Sequence, residues 1–306
     1  TSCDDYTWGD STYNQSGTYY SHTGSNNNYS MSFDGIDDYV TSNSNYNLYD
    51  DFSISFWLKS NTNQFDRLIT KLCNNCSFGE WQVNLAGNVS GQIDFSIESP
   101  SAPGVATSNL FSTTQVNDGN YHFIAVTRDN SNGQLKLYVN GVLEDSATSL
   151  ANIYSIVNTS PIEIGAHNFQ NYYSGEIDEI SIFSYVISDN EINELMNCPP
   201  TGSEVGLIGH WNFEEGSGNI AYDQTSNGND GIINGAQYDS NVPPQSCQLT
   251  TMSGCDSVAV LNLTINQSDT SYTNVTACDS YTWSDSTYTQ SGTYYSNSLS
   301  NNNYSL

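Results

Sequence analysis

Short alternations of apolar and polar residues run through most of the chain. They occupy residues 53–59, 92–97, 121–127, 134–139 and 176–183. Each is bounded by Gly, Asn, Asp or Pro, and a period of two residues between such turn signals predicts a β-strand with one buried face. Asn140-Gly141 lies between two of these segments and predicts a tight hairpin, because both residues tolerate positive φ.

One short helix is predicted near residues 188–197. Ser188-Asp-Asn-Glu191 is a capping box, and Ile192 and Leu195 follow at helical spacing before a Pro-Pro pair ends the pattern. Many strands, one helix and no alternation of strand and helix predict an all-β sandwich.

The first residues of the chain recur at its end. Residues 1–31 align without a gap on residues 276–306, and 23 of the 31 positions are identical. An independent enzyme has no need of such a copy. The repeat therefore predicts one period of a longer tandem-repeat chain, of the kind found in surface, adhesive or filament proteins.

Composition narrows the range of partners. Five Lys and Arg residues stand against 33 Asp and Glu residues, a formal net charge of −28. Nucleic acid and anionic membranes need cationic partners, so neither is expected here. No apolar run is long enough to cross a membrane, so membrane insertion is not expected either.

The chain contains seven cysteines, and Cys278 is the repeat copy of Cys3. If Cys278 has its partner in a following repeat and is unpaired here, six cysteines remain, the even number that disulfides require. The pairs we favour are Cys3–Cys255, Cys73–Cys76 and Cys198–Cys247. A zinc or redox role for Cys73-Asn-Asn-Cys76 lacks further ligands or a βαβ setting. Disulfides predict a secreted, extracellular protein.

Six motifs in order resemble one family. They lie at residues 32–40 (SFDGIDDYV), 52–59, 118–128, 137–142, 164–166 and 175–192. They are similar to the concanavalin A-like, laminin G-like jelly rolls, and the resemblance implies a lectin-like β-sandwich over residues 31–246. Residues 206–213 and 222–231 look like the strand and loop that normally precede SFDG, so the resemblance implies a circular permutation.

The flanking sequence resembles a second kind of module. Residues 278–295 and 254–265 are similar to the two halves of a small β-repeat in giant surface adhesins of Bacteroidetes-type bacteria. This implies a jelly roll inserted into a small host β-sandwich. The host halves would be residues 1–30 and 247–266, the next repeat would begin in 267–306, and Cys3–Cys255 would join the host halves.

An enzyme is not expected. Glu176-Ile-Asp178-Glu179 lies where jelly-roll β-glucanases carry their catalytic carboxylates, but their pattern needs a further acidic residue at the position of Ser181. A retaining glycosidase needs both a nucleophile and an acid on one groove. No other catalytic motif is present in the sequence.

A structural calcium ion is the one cofactor expected. Calcium prefers carboxylate, amide and carbonyl oxygens, and the family includes calcium-bearing jelly rolls. The predicted metal ligands are Asp34, Asp37, Asp178, Asp223 and Asn227. The alternative is that these residues only make Asx-turns.

A glycan site is also predicted. Sugar rings stack on flat aromatic side chains, while amides and carboxylates bind their hydroxyl groups. The candidate ligand-binding residues are Trp81, His167, Asn168, Phe169, Tyr172 and Tyr173. The alternative is ordinary loop packing.

Two functions remain open. The first is a repeat unit of a cell-surface adhesin that binds glycans or surface proteins through a calcium-stabilised jelly roll. The second is a structural stalk or filament repeat, whose partners are other copies of itself. The first is favoured only because the inserted domain resembles a binding family.

Overall fold

The computed structural model separates the chain into two compact units. A small unit comprises residues 1–21 and 260–306, and a large unit comprises residues 22–259. The residues described are 2–3, 6–8, 11–13, 17–21, 27–42, 48, 50–72, 80–86, 89–99, 106–148, 160–168, 170–245, 259–263, 265–266, 275–276, 278–283 and 286–293. The small unit is thus formed by residues from both ends of the chain, and the predicted insertion and domain boundaries stay predictions.

Strands account for nearly all the regular structure. In chain order they are β1 (Ser2–Cys3), β2 (Tyr6–Trp8), β3 (Ser11–Tyr13), β4 (Gly17–Ser21), β5 (Ser30–Asp34), β6 (Tyr39–Ser42), β7 (Phe52–Lys59), β8 (Asp66–Lys71), β9 (Glu80–Ala86), β10 (Gln92–Ser99), β11 (Ala106–Phe111), β12 (Tyr121–Asp129), β13 (Gln134–Val139), β14 (Val142–Thr148), β15 (Glu163–Ile164), β16 (Ser174–Phe183), β17 (Leu207–Trp211), β18 (Ile220–Ala221), β19 (Gly231–Asn234), β20 (Gln237–Asp239), β21 (Ala259–Leu263), β22 (Ile265–Asn266), β23 (Tyr281–Trp283) and β24 (Ser286–Tyr288). A single helix, α1 (Asp189–Asn197), completes the described elements.

The large unit is a sandwich of two sheets. The first sheet has the order β11-β10-β9-β8-β15-β6-β19-β18. The second has the order β14-β13-β12-β7-β16-β5-β20, with β17 also paired to β16. Their inner faces enclose a core in which Phe52 packs against Trp81 and Phe95. The predicted all-β jelly-roll class is confirmed.

The local signals in the sequence also have their expected structures. The predicted alternations coincide with β7, β10, β12, β13 and β16. Asn140 and Gly141 have φ values of 51° and 77° and join β13 to β14, with Val139 opposite Val142. These are the positive φ values that the two-residue hairpin requires.

The helix forms where the capping box predicts it. The Ser188 hydroxyl accepts from the Glu191 amide, and the Glu191 carboxylate accepts from the Ser188 amide. Ile192 is fully buried in a second apolar cluster with Trp57 and Phe123, on the outer face of the second sheet. The helix therefore covers part of that face.

β16 pairs with two strands that lie far apart in the chain, and the circular permutation implied by the resemblance stays a prediction. β5 and β17 both run antiparallel to β16, with Met31 opposite Ile177 and Trp211 opposite Ile180. The two strands therefore lie in line along one side of β16. In the chain, however, β17 comes after the helix and β5 long before it.

The small unit shows that the sequence repeat is also a structural repeat. β2 and β3 pair with Tyr6 opposite Tyr13, and β23 and β24 pair with Tyr281 opposite Tyr288. These are equivalent positions in the two copies. β1 pairs in parallel with β22, and β4 pairs with β21.

The described residues include three of the seven cysteines. Cys198 is disulfide-bonded, and Cys278 is a free, exposed thiol. Cys73, Cys76, Cys247 and Cys255 lie outside the described residues. The three predicted pairs therefore stay predictions. Among the described residues, no helix is both long and apolar enough to span a membrane.

Substituting Ser188→Ala should lower the free energy of unfolding by about 1 kcal/mol, because the first turn of α1 loses its hydroxyl acceptor. Urea unfolding of the full chain measures this change. Ser217→Ala is the matched control, since Ser217 is exposed and lies outside the helices and strands. An equal effect of both substitutions would contradict the role of the cap.

Candidate functional site

A turn rich in aspartate joins β5 to β6. Gly35 has a φ of 80°, a conformation that L side chains rarely adopt, and so permits the tight bend. Asp34 Oδ1 accepts from the Ile36 amide at 2.8 Å, and Asp38 Oδ2 accepts from the Asp34 amide at 2.9 Å. The turn thus fixes its own carboxylates in place.

Three carboxylates converge in this turn. One oxygen each of Asp34, Asp37 and Asp38 lies within 4.8 Å of the others. Asp34 and Asp37 are exposed, while Asp38 is buried. Burial raises the pKa of Asp38, and the charges of Asp34 and Asp37 raise it further. A bound cation would offset this repulsion, and the oxygen donors are of the type that calcium prefers.

The predicted ligand loop, residues 167–173, is held by Glu163. Glu163 Oε2 lies 2.8 Å from His167 Nδ1 and accepts from the Asn168 amide at 3.2 Å. Reciprocal backbone hydrogen bonds between His167 and Gln170 close the loop. Asn168 is exposed, and Tyr172 is partly exposed. Phe169 lies outside the described residues.

The aspartate turn and this loop are neighbours. Ser174, directly after the loop, is opposite Asp34 in the β5–β16 pair. The pKa of Tyr172 is raised by burial first, and then by Tyr39, Asp37 and Glu163. Part of each predicted site, the metal ligands Asp34 and Asp37 and the loop residues His167, Asn168 and Tyr172, therefore lies on one edge of the sandwich. We call this edge the rim site; it consists of Asp34, Asp37, Asp38, Tyr39, Glu163, His167, Asn168 and Tyr172.

Two of the predicted aromatic ligands are buried instead. Trp81 is 1% exposed and packs on Phe52, and Tyr173 is 0% exposed. The Tyr173 hydroxyl lies 2.8 Å from the carbonyl oxygen of Lys59. Trp81 faces inward in the alternation of β9, and the hydroxyl of Tyr173 is held at Lys59, so neither ring can stack against a sugar.

Asp223 and Asn227 also have structural partners. Asp223 Oδ1 accepts from the His210 and Thr225 amides, and its Oδ2 accepts from the Asn229 amide at 2.9 Å. The Asn227 side chain donates through Nδ2 to the carbonyl of Ile208 at 3.1 Å. These contacts fasten residues 222–231 to β17. The structure therefore does not bring Asp223 or Asn227 into the aspartate turn.

Asp178 lies in a third place, next to a buried Glu179. The pairing of β16 with β7 shifts register between Asp178 and Ser181, and Glu179 has a φ of 52°. The bulge sets the two carboxyls side by side. Asp178 accepts from Asn27 Nδ2 at 2.9 Å and from the Glu179 amide at 2.8 Å.

Glu179 is the less satisfied of the two carboxyls. Among the described residues neither of its oxygens accepts a hydrogen bond, and Oε2 lies 3.4 Å from His210 Nε2. Burial raises the pKa of Asp178 and Glu179 well above their ordinary values, and Glu214 raises both further. Burial also lowers the pKa of His210, which therefore tends to remain neutral.

A further group of oxygen donors was missed by the sequence reasoning. Glu98 is opposite Glu80, and Ser96 is opposite Gln82, on adjacent strands β10 and β9. Together with Leu72 and Trp81 they line a cavity of about 20 Å³, which is enough for one water or ion. Ser96 Oγ and Gln82 Oε1 are buried, and neither makes a hydrogen bond to the part of the chain that the structure describes. The signal for these positions in the sequence was the alternation of apolar and polar residues in 80–84 and 94–98, which is typical of strands.

Comparison with known proteins now identifies the domain. Residues 33–193 match a family model described as the concanavalin A-like lectin/glucanases superfamily. The chain belongs to this superfamily. The match ends before β17, the strand that stands after the helix in this chain.

Relatives are distant within the superfamily. The chain is 27% identical over 121 residues to sushi, von Willebrand factor type A, EGF and pentraxin domain-containing protein 1 of Rattus norvegicus, covering 36% of this chain and 3% of that protein. The protein of the same name from Mus musculus is 26% identical over 121 residues, again covering 36% of this chain and 3% of that protein. The chain thus spans a very small part of these relatives.

One solved structure with low sequence identity shares the fold. A candidate carbohydrate binding protein from Bacteroides ovatus has a TM-score of 0.56 at 14% identity, covering 72% of this chain and 62% of that one. Domains LG4–5 of the mouse laminin α1 chain have a TM-score of 0.42 at 10% identity, covering 55% and 44%. At such identities the likeness extends to the fold alone.

Glu179→Gln should stabilise the chain more at pH 8 than at pH 5. A raised carboxyl pKa means that the folded state keeps a proton that the unfolded state releases. The protonated Glu179 side chain therefore stabilises the folded state at low pH, and this contribution is lost as the pH rises through the pKa that Glu179 has in the folded state. Glutamine imitates the protonated form at every pH, so the variant gains up to about 1.4 kcal/mol per unit of raised pKa.

Urea unfolding of the variant and the parent at the two pH values measures this difference. Asp279→Asn is the control, since Asp279 is exposed. A stability difference that is the same at pH 5 and pH 8 would contradict the buried, protonated pair.

Proposed function

We propose that this chain is a non-catalytic binding module of an extracellular repeat protein, with the rim site as its ligand contact. The supporting observation is that the aspartate turn and the His167–Tyr172 loop share one edge of the sandwich. Membership of a superfamily named for lectins and glucanases is consistent with a glycan ligand, and surface proteins remain the other ligand class.

The rim site contains the groups that a sugar needs. Tyr172 and Tyr39 offer partly exposed rings. Asn168, His167 and the carboxylates of the turn offer hydrogen-bonding groups. The loop is braced by Glu163 and by its own backbone hydrogen bonds. A braced loop loses little conformational entropy on binding.

Calcium is proposed as the cation of this site. Asp34, Asp37 and Asp38 would hold it, and carbonyl or water oxygens would complete the six to eight ligands that calcium takes. When bound, the ion would neutralise the turn and hold it rigid beside the loop. The cavity at Glu80 and Glu98 is a second possible cation position.

Two observations support a module without catalysis. Asp178 and Glu179 are 0% and 3% exposed, so a polysaccharide has no access to them. The position that a glucanase needs for its last acidic residue holds Ser181, whose hydroxyl lies 3.1 Å from His210 Nδ1. A retaining glycosidase needs two accessible carboxyls about 5–5.5 Å apart.

The extracellular setting is supported by the disulfide at Cys198. The repeated segment and its repeated hairpin support a chain of several copies on a cell surface. Weak sites repeated along one chain give avidity. A stalk or filament repeat without a glycan ligand is the alternative, and it would need no rim site.

A glycan array probed with the full chain should give calcium-dependent signals that disappear with chelator. The double variant Asp34→Asn/Asp37→Asn should lose the calcium dependence, and Tyr172→Ala should lower the signal at least tenfold. Asp279→Asn, remote in sequence, is the control for the loss of an exposed carboxylate elsewhere in the chain.

Signals that persist in chelator and in the double variant would contradict the calcium-dependent site. A blank array from folded protein would contradict glycan binding and favour the stalk role. Hydrolysis of an arrayed glycan would contradict a module without catalysis.

A further inference from the structure

The segments leading into and out of the jelly roll are joined by nested contacts. β1 pairs with β22, and β4 pairs with β21. Farther in, Asn27 Nδ2 donates to Gln245 Oε1 at 3.0 Å. Next along the chain, β5 pairs with β20. Each contact lies inside the one before it, so tension applied outside β1 and β22 must break them in that order.

The outermost contact is loaded in shear. β1 and β22 run parallel, with Ser2 opposite Ile265 and Cys3 opposite Asn266. A pull on the chain before Ser2 and a pull on the chain after Asn266 act at opposite ends of this pair and along its strands. The interstrand hydrogen bonds must therefore give way together.

The innermost contact is loaded differently. β5 and β20 run antiparallel, with Ser30 opposite Asp239, and the flanking chain leaves both strands at that end. The Ser30 hydroxyl adds one hydrogen bond to the carbonyl of Asn241 at 2.8 Å. A pull on these two segments opens the pair one bond at a time. The edge of the jelly roll is thus weak against a force that reaches it directly.

We propose that the small unit is a load-bearing clasp, which keeps tension in the chain away from the inserted jelly roll. The outer pair resists shear, whereas the inner pair opens one bond at a time. The contact that is loaded first is therefore the mechanically stronger one. The jelly roll then stays folded while the chain is stretched. This inference concerns how force is carried, and it holds whichever ligand the rim site binds.

Single-molecule pulling on the full chain from its two ends tests the proposal. The chain carries Cys3→Ser and is kept in reducing buffer, so that no disulfide, including the one at Cys198, bears the load or shortens the second step. Residues 267–306 lie outside the β1–β22 pair and extend separately. The clasp should give a first step of about 100 Å from residues 1–21 and 260–266, and the jelly roll a second step of about 850 Å, at about 3.6 Å per residue. A trace in which the larger step comes first overturns the proposal.

Two comparisons separate a clasp from a unit that merely unfolds early. Ile265→Pro breaks the β1–β22 pair and should lower the force of the first step, while Ser286→Pro in the β23–β24 hairpin should not. Handles placed at residues 22 and 259 bypass the clasp. They should unfold the jelly roll at a lower force than the first step seen from the chain ends, and an equal or higher force overturns the proposal.

Discussion

The jelly roll depends on β16. This strand pairs with β7 along one edge and with both β5 and β17 along the other. It therefore joins segments from the beginning, middle and end of the large unit in one sheet. The bulge at Glu179 lets its two ends keep register with β7 while the Asp178 and Glu179 carboxyls remain buried. Two buried carboxyls are costly unless one is neutral or paired, so the centre of the sandwich is also its most electrostatically constrained point.

That constraint extends to the place where the chain enters and leaves the domain. Asn27 donates to both Asp178 and Gln245, and Glu214 accepts from the amides of Asn28 and Tyr29. The buried acids, the incoming segment and the outgoing segment are thus linked by hydrogen bonds. Polar contacts as well as sheet pairing therefore hold the incoming and outgoing segments of the large unit together.

Much of the fold could be predicted because its signals are local. The alternations of β7 and β13, the Asn140-Gly141 turn and the capping box each lie within a few residues. The site could be predicted only in part. Asp34 and His167 lie in loops whose chemistry is visible in the sequence. Asp223, in contrast, accepts hydrogen bonds from His210 and Asn229, and Trp81 packs on Phe52. Those partners lie on other elements, and no local pattern reveals them.

The central claim is that the aspartate turn and the 167–172 loop act as one binding site. A calcium titration of the full chain followed by amide chemical shifts tests it most directly. The account predicts that residues 34–38 and 167–172 shift together, with one midpoint, and that Asp34→Asn/Asp37→Asn abolishes both changes. Shifts confined to one of the two segments, or absent from both, would contradict it.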